Sequence, residues 1–109
     1  MIATLTALAE PNRLHIVELL RENPRSVNEI VAQLHLSQPL VSKHLRVLNQ
    51  AGLVKVHPSA QQRIYALEPR PFEDLESWLD TFRRVWNERL DTLDDYLQEL
   101  KEQQKPEAQ

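Results

Sequence analysis

The span from Ser37 to Val54, SQPLVSKHLRVLNQAGLV, collects side chains suited to holding a polyanion rather than to catalysis. It carries Lys43, His44 and Arg46 and no acid. In a helix that turns 100° per residue, Leu45 and Leu48 fall within about 40° of Val41 and define an inward face. Pro39, Ser42, Lys43, Arg46 and Gln50 fall on the opposite side, with Gln38 nearer the flank. Short amide and hydroxyl groups at the start of such a face reach base edges in a major groove. Lys and Arg take guanine or phosphate. In helix-turn-helix docking it is the early part of the second helix that meets the bases. The plain alternative is that Lys43 and Arg46 only solvate an ordinary helix. The surrounding sequence weighs against it. Between Glu29 and Glu68 there is no acidic residue, while Lys43, Arg46, Lys55 and Arg63 all fall there.

The formal net charge of −3 conceals this division. Residues 1–70 hold eight Lys/Arg against five Asp/Glu, together with all four histidines, whereas residues 71–109 hold five against eleven. A local excess of one sign steers partners whatever the total is. The chain has no cysteine, which removes disulfides, thiolate metal sites and a cysteine nucleophile, and fits a reducing compartment. Ser37 and Ser42 have caps and contacts to explain them, and no glycine-rich phosphate loop is present. The chain therefore reads as a non-enzyme without a cofactor. His15 and His44 have no second ligand at suitable spacing and read as packed or surface residues. Asp91, Asp94, Asp95 and Glu99 share helical neighbourhoods and read as a solvated acidic face. No metal site is expected. The apolar opening MIATLTALAE lacks a basic start, and no apolar run approaches the roughly 20 residues that span a membrane. The expectation is a soluble, cytoplasmic protein with no membrane partner.

The elements that must position the polar face follow in close succession. Pro11 suits the first position of a helix whose Leu14, Val17 and Leu20 recur at three-residue spacing. Asn23-Pro24 stops it. SVNE is a capping box, Ser26 accepting from the amide of Glu29 while Glu29 reaches back. Val27, Ile30, Val31 and Leu34 form the stripe of a short helix. Only His35 and Leu36 separate it from the next cap, Ser37, and so tight a turn gives a helix-turn-helix. The second helix is predicted over 38–51, with Gly52, the single glycine of the chain, in the left-handed position beyond it. LVKVH and RIYAL then alternate as strands of a β-hairpin whose tip, HPSAQQR, offers Arg63 with Gln61 and Gln62 to the adjacent backbone or minor groove. Lys55 is placed to reach phosphate, and Tyr65 to pack in the core.

From Pro71 to about Lys101 a long amphipathic helix is predicted, followed by a frayed tail, QQKPEAQ. Leu75, Leu79, Phe82, Trp86, Leu90, Leu93, Leu97 and Leu100 follow a near-heptad spacing with one shift at Trp86. Such a stripe exceeds what one small domain can cover. Pairing with a second copy through Leu79, Phe82, Trp86, Leu90, Leu93 and Leu97, joined by Leu5 and Leu8 of the N-terminal helix, is the expected solution. The fold class is mainly α with a small β-hairpin: a winged helix-turn-helix domain with a long C-terminal dimerisation helix. One domain, 1–109, is expected, comprising a DNA-binding core over 1–70 and the dimerisation helix over 71–104.

The segments ALAEPNRLHIVELL, SVNEIVAQLHLSQPLVSKHLRVLNQAGLV and RIYAL resemble the ArsR/SmtB family of winged-helix transcriptional repressors, over roughly residues 7–67. The resemblance implies a homodimer on a pseudo-palindromic operator of double-stranded DNA, with two recognition helices about 34 Å apart. Carried over to this sequence, the DNA contacts match Gln38, Pro39, Ser42 and Lys43 on the recognition helix and Arg63 on the wing; the residue reading adds Ser37 and Arg46. Three positions depart from the family pattern. His35 stands where the turn usually has glycine, Glu10 where the cap is usually aspartate, and the wing tip lacks glycine. Ser26 and Asn28 fall at the family's thiolate positions, neither a soft-metal ligand. Two other functions stay open at this level. One is a winged helix that binds a protein through its acidic last helix. The other is a sensor with a non-standard metal site, or with an organic effector lodged near Trp78, Trp86 and Tyr96.

Overall fold

The structure is a computed structural model that describes residues 1–104. Its elements are α1 (Ile2–Leu8), α2 (Pro11–Glu22), β1 (Arg25–Ser26), α3 (Val27–Leu34), α4 (Gln38–Gln50), β2 (Val54–Ser59), β3 (Gln62–Leu67) and α5 (Pro69–Gln104). Local chemistry accounts for most of the boundaries. Pro11 opens α2 while the Glu10 carboxylate accepts from the Arg13 amide at 2.8 Å, so the longer acid serves as the cap. The capping box forms as expected, with Glu29 N–H donating to Ser26 Oγ at 3.2 Å and Ser26 N–H donating to Glu29 Oε1 at 3.2 Å. His35 takes a left-handed conformation, φ 55° and ψ 39°, which histidine tolerates better than most residues.

The end of α4 is a Schellman turn. Leu53 N–H donates to the Leu48 carbonyl and Gly52 N–H to the Asn49 carbonyl, each at 3.0 Å, with Gly52 at φ +79°. Leu48 and Leu53, the residues that flank this motif, are both wholly buried. The turn therefore delivers the chain straight from α4 into β2.

The sheet is antiparallel in the order β1-β3-β2, and has three strands where the sequence suggested a hairpin. Arg25 pairs with Tyr65 and Ser26 with Ile64, while β2 and β3 pair from Val54–Leu67 to Ser59–Gln62. Two residues are too short to show periodicity, so β1 exists only because β3 offers it an edge. The wing strands also run further than their alternation indicated. They leave a loop of Ala60 and Gln61, and Ala60 adopts φ 55°. Positive φ at the first loop residue is the place where a hairpin normally puts glycine.

By its contacts the chain falls into two compact units, Met1–Leu75 and the residues from Glu76 onward. The first holds the core, in which Ile16, Ile30, Val41, Leu45, Leu48 and Leu53 are wholly buried. Tyr65 and Phe72 pack against it. On α2 the buried face is Ile16, Val17 and Leu20, and Leu14 is exposed, which corrects the three-residue spacing read from sequence. The second unit is helical through Gln104, so Gln103 and Gln104 belong to α5, and the rest of the expected frayed tail lies outside the described residues. No helix among the described residues is long and apolar enough to cross a membrane.

Gly52 and Ala60, both in turns at positive φ, make opposite predictions. A Cβ built on Gly52 meets nothing within 4 Å, so Gly52→Ala carries only the left-handed backbone cost and should lower unfolding free energy by about 1 kcal/mol. Ala60→Gly should raise it by about 0.5 kcal/mol, the relief being partly offset by a freer unfolded chain. Urea titration of both variants checks the pair of signs.

Candidate nucleic-acid interface

The outer face of α4 is fixed by what lies on its inner face. Val41, Leu45 and Leu48 are wholly buried, which sets the rotation of the helix and leaves Gln38, Pro39, Lys43 and Arg46 exposed and Ser42 half-buried. Ser37 caps the helix, its hydroxyl accepting from the Leu40 amide at 3.4 Å. His44, which the sequence groups with the cations, turns inward and is 6% exposed. The polar face is therefore carried by Lys43 and Arg46 with the amides and hydroxyls beside them.

An open groove of about 610 Å³ runs between α4, the start of α3 and the wing. Gln38, Ser42 and Arg46 line it from α4, and Gln61, Gln62 and Arg63 from the wing. The groove thus brings together six residues predicted from sequence: Gln38, Ser42, Arg46, Gln61, Gln62 and Arg63. Ser37, Pro39 and Lys43 are not among its lining residues and belong to the exposed start and outer edge of the helix. Asn28, Asn49 and Gln50 also line it, and the sequence reading gave none of them a contact. Asn28 lies in the first turn of α3, where unpaired amides and the helix dipole favour an anion. The signal for Asn28 was the capping box itself, which places a helix start here, but the partner across the groove is set only by the tertiary fold.

Charge in the groove is unopposed. Among the described residues, none of Lys43, Arg46 and Arg63 has an acidic partner within ion-pair distance. Lys55 does: its Nζ lies 3.7 Å from Glu68 Oε1, with both side chains partly exposed. Arg25 of β1 pairs with Glu22 at 3.3 Å. Tyr65 both lines the groove and packs against the core, so its ring is a wall. Ser26 is buried and spends its hydroxyl on the capping box. No group of three or more His, Asp or Glu is disposed to hold a metal ion among the described residues.

On α5 the apolar stripe is uncovered in the single chain. Leu79, Phe82, Trp86, Leu90, Leu93 and Leu97 are each between 46% and 57% exposed. Trp78 and Phe82 meet edge to face, with centroids 4.9 Å apart and planes at 77°. On α1, Leu5 is half-buried and Leu8 packs partly against the core, while Ile2, which the sequence reading did not single out, is 76% exposed.

Comparison with known proteins places this arrangement. Residues 10–56 match the family described as bacterial regulatory protein, arsR family. The HTH-type transcriptional repressor SmtB of Mycobacterium tuberculosis is 49% identical over 63 residues, 58% of this chain and 47% of SmtB, so the match spans about half of that relative's length. A second Mycobacterium tuberculosis protein, the HTH-type transcriptional regulator Rv2034, is 42% identical over 76 residues, covering 70% of this chain and 71% of its own. Among solved structures, HlyU from Vibrio cholerae superposes with a TM-score of 0.64 at 33% identity, over 74% of this chain and 88% of that one.

The caps that aim the two helices differ in quality, and this is measurable. Ser26 takes part in a reciprocal pair and is buried, whereas the Ser37 contact is longer and exposed. Ser26→Ala should therefore lower unfolding free energy by about 1–2 kcal/mol and Ser37→Ala by about 0.5 kcal/mol. Equal losses in a denaturant titration would contradict the ranking.

Proposed function

The chain belongs to the ArsR family of bacterial regulatory proteins, and from this we propose that it is a cytoplasmic, dimeric repressor that binds a pseudo-palindromic DNA operator. In this reading α4 enters the major groove. Gln38, Pro39 and Ser42 meet base edges, with Lys43 and Arg46 reaching guanine or phosphate. Ser37 sits at the mouth of the helix, where a short hydroxyl can meet the backbone. Arg63, with Gln61 and Gln62 at the tip of the wing, follows the neighbouring phosphates or minor groove.

The observation that carries the reading is the unopposed charge of the groove. Arg46 and Arg63 face it from two elements, Lys43 stands exposed on the outer edge of α4, and the acids that could neutralise them are missing from the sequence between Glu29 and Glu68. A surface that merely solvates a helix has no reason to exclude carboxylates over such a span, because mixed charge serves solubility equally well. A phosphate backbone does supply a reason, since each carboxylate there would oppose it.

Two copies are required by the second half of the reading. The α5 stripe leaves six large apolar side chains about half exposed, a surface that soluble chains normally cover. Leu79, Phe82, Trp86, Leu90, Leu93 and Leu97, with Leu5 and Leu8 on α1, are assigned to the contact between copies. Pairing sets two recognition helices on successive turns, about 34 Å apart.

Selection of bound duplexes from a random pool should return a two-fold symmetric motif. On that motif, Lys43→Ala should cost about 1–3 kcal/mol and relax preference at one position if Lys43 reads a base. With about six phosphates neutralised, the slope of log K against log salt should be roughly −5. No enrichment, or enrichment with no salt dependence, would move the function to protein binding by α5. Replacing Leu90 and Leu93 together by Asp should give monomers by light scattering and weaken binding to the two-fold site. A variant that remains dimeric would remove α5 from the interface.

A further inference from the structure

One buried polar side chain of α4 has no place in the interface. His44 lies between the exposed Lys43 and the buried Leu45, its side chain is only 8% exposed, and its Nδ1 is shut off from solvent without a hydrogen-bond partner. Buried polar atoms are nearly always bonded, so an orphan of this kind calls for a reason. The charged group that faces it is Glu10, whose Oε2 stands 3.7 Å from Nδ1. That distance is within reach of an ion pair and beyond a hydrogen bond.

Glu10 is not free to close the gap. The same Oε2 accepts the Arg13 amide at 2.8 Å as the cap of α2. Arg13 is held in turn, donating from Nε to the Ala7 carbonyl at 2.7 Å and from Nη2 to the Thr6 carbonyl at 3.4 Å. A polar line therefore runs from the C-terminal carbonyls of α1, through the first turn of α2, to the inner face of α4. With the carboxylate tethered at one end, movement falls to His44 and its helix. Shortening 3.7 Å to a charge-assisted hydrogen bond of about 2.8 Å closes roughly 1 Å, shared between rotation of the His44 ring and movement of the helix that carries it. Recognition groups must be held to about 0.5 Å, so the helix's part of that movement decides whether the outer face fits.

We infer that Glu10 and His44 are positioning residues for α4, and that a bond from Nδ1–H of His44 to the Glu10 carboxylate closes when duplex DNA occupies the opposite face. The inference rests on the DNA-binding reading above. His44 is buried on the inner face of α4 and Glu10 is taken up in the cap of α2, so neither is assigned to the duplex. The direction follows from electrostatics. A row of phosphates outside α4 lowers the potential across the helix, which favours holding a proton at Nδ1, the ring nitrogen that faces Glu10. Glu10 is the acceptor waiting for that proton.

The test uses the full chain and a duplex selected from the random pool. Glu10→Ser keeps a cap for α2, since serine is a good cap, but its hydroxyl is too short to reach His44. His44→Leu removes Nδ1 while filling the buried volume, and His44→Asn restores a donor near the same position. Glu10→Ser and His44→Leu should each weaken binding about tenfold, and the double variant should lose no more than either alone. His44→Asn should recover part of the loss, while melting temperatures stay close to that of the parent. In ¹⁵N spectra of the parent, the His44 Nδ1 resonance should move to the protonated position when duplex is added, and it should fail to do so in Glu10→Ser. Additive losses, losses that track melting temperature, or an unchanged His44 resonance overturn the proposal. A parent that binds and variants that bind equally well remove the proposal alone. A parent that selects no duplex removes the DNA-binding reading, and this proposal with it.

Discussion

Everything on the outer surface of α4 depends on the burial of Val41, Leu45 and Leu48. Each removes an apolar side chain from water, worth about 1.5–3 kcal/mol apiece. An exposed charge pair contributes about 0–1 kcal/mol. The apolar residues therefore decide the rotation of the helix, and the polar residues ride on it. With 100° between neighbours, one residue of slippage would carry Lys43 to the flank and His44 outward. The Schellman turn at Gly52 and the cap at Ser37 fix the ends, so the helix cannot slide along its axis to relieve a poor fit. Specificity in such a surface comes from packing on the side that never meets the partner.

The charge pattern acts at a different range. At physiological salt the Debye length is about 8 Å, so a phosphate senses the groups beside it rather than the sum over the chain. A total of −3 is compatible with holding a polyanion because the acids are concentrated in residues 71–109. What distinguishes this face is the want of carboxylates more than the number of cations, for Lys43, Arg46 and Arg63, none with an acidic partner among the described residues, are a modest count. Lys55 shows the contrast. One glutamate at the border of the acid-free span, Glu68, is enough to engage it.

What the sequence made legible was local. The capping box at Ser26, the cap at Ser37 and the glycine after α4 each rest on chemistry within a few residues, and each stands as read. The misreadings have a common cause. The spacing of Leu14, Val17 and Leu20 is a sound helical pattern, yet Ile16 replaces Leu14 in the core because the face is chosen by what α2 packs against. β1 has two residues and no pattern at all, and its pairing with Tyr65 and Ile64 is a property of β3. Asn28 and Asn49 lie far apart in sequence and are brought to one groove only by the fold. His44 was read as a packed or surface residue, and what the sequence did not give is its buried neighbour, Glu10. Pairings between distant segments leave no trace in a single sequence, and those are the ones that were missed.

The α5 stripe and the α4 groove solve one problem between them in the proposed dimer. A single groove with about three phosphate contacts gains only the non-specific, salt-sensitive affinity typical of small basic surfaces. Enlarging the groove would raise affinity for every sequence alike, because phosphates carry no base information. Presenting the same groove twice is different. Once one copy is bound, the second binds as though it were present at a high local concentration, and only a site with both halves in register benefits. Affinity and specificity then rise together from an apolar seam that touches no DNA. The residues that make the seam, Leu79 to Leu97, need no precise chemistry beyond bulk and spacing. Base discrimination therefore remains the task of a few short side chains at the start of α4.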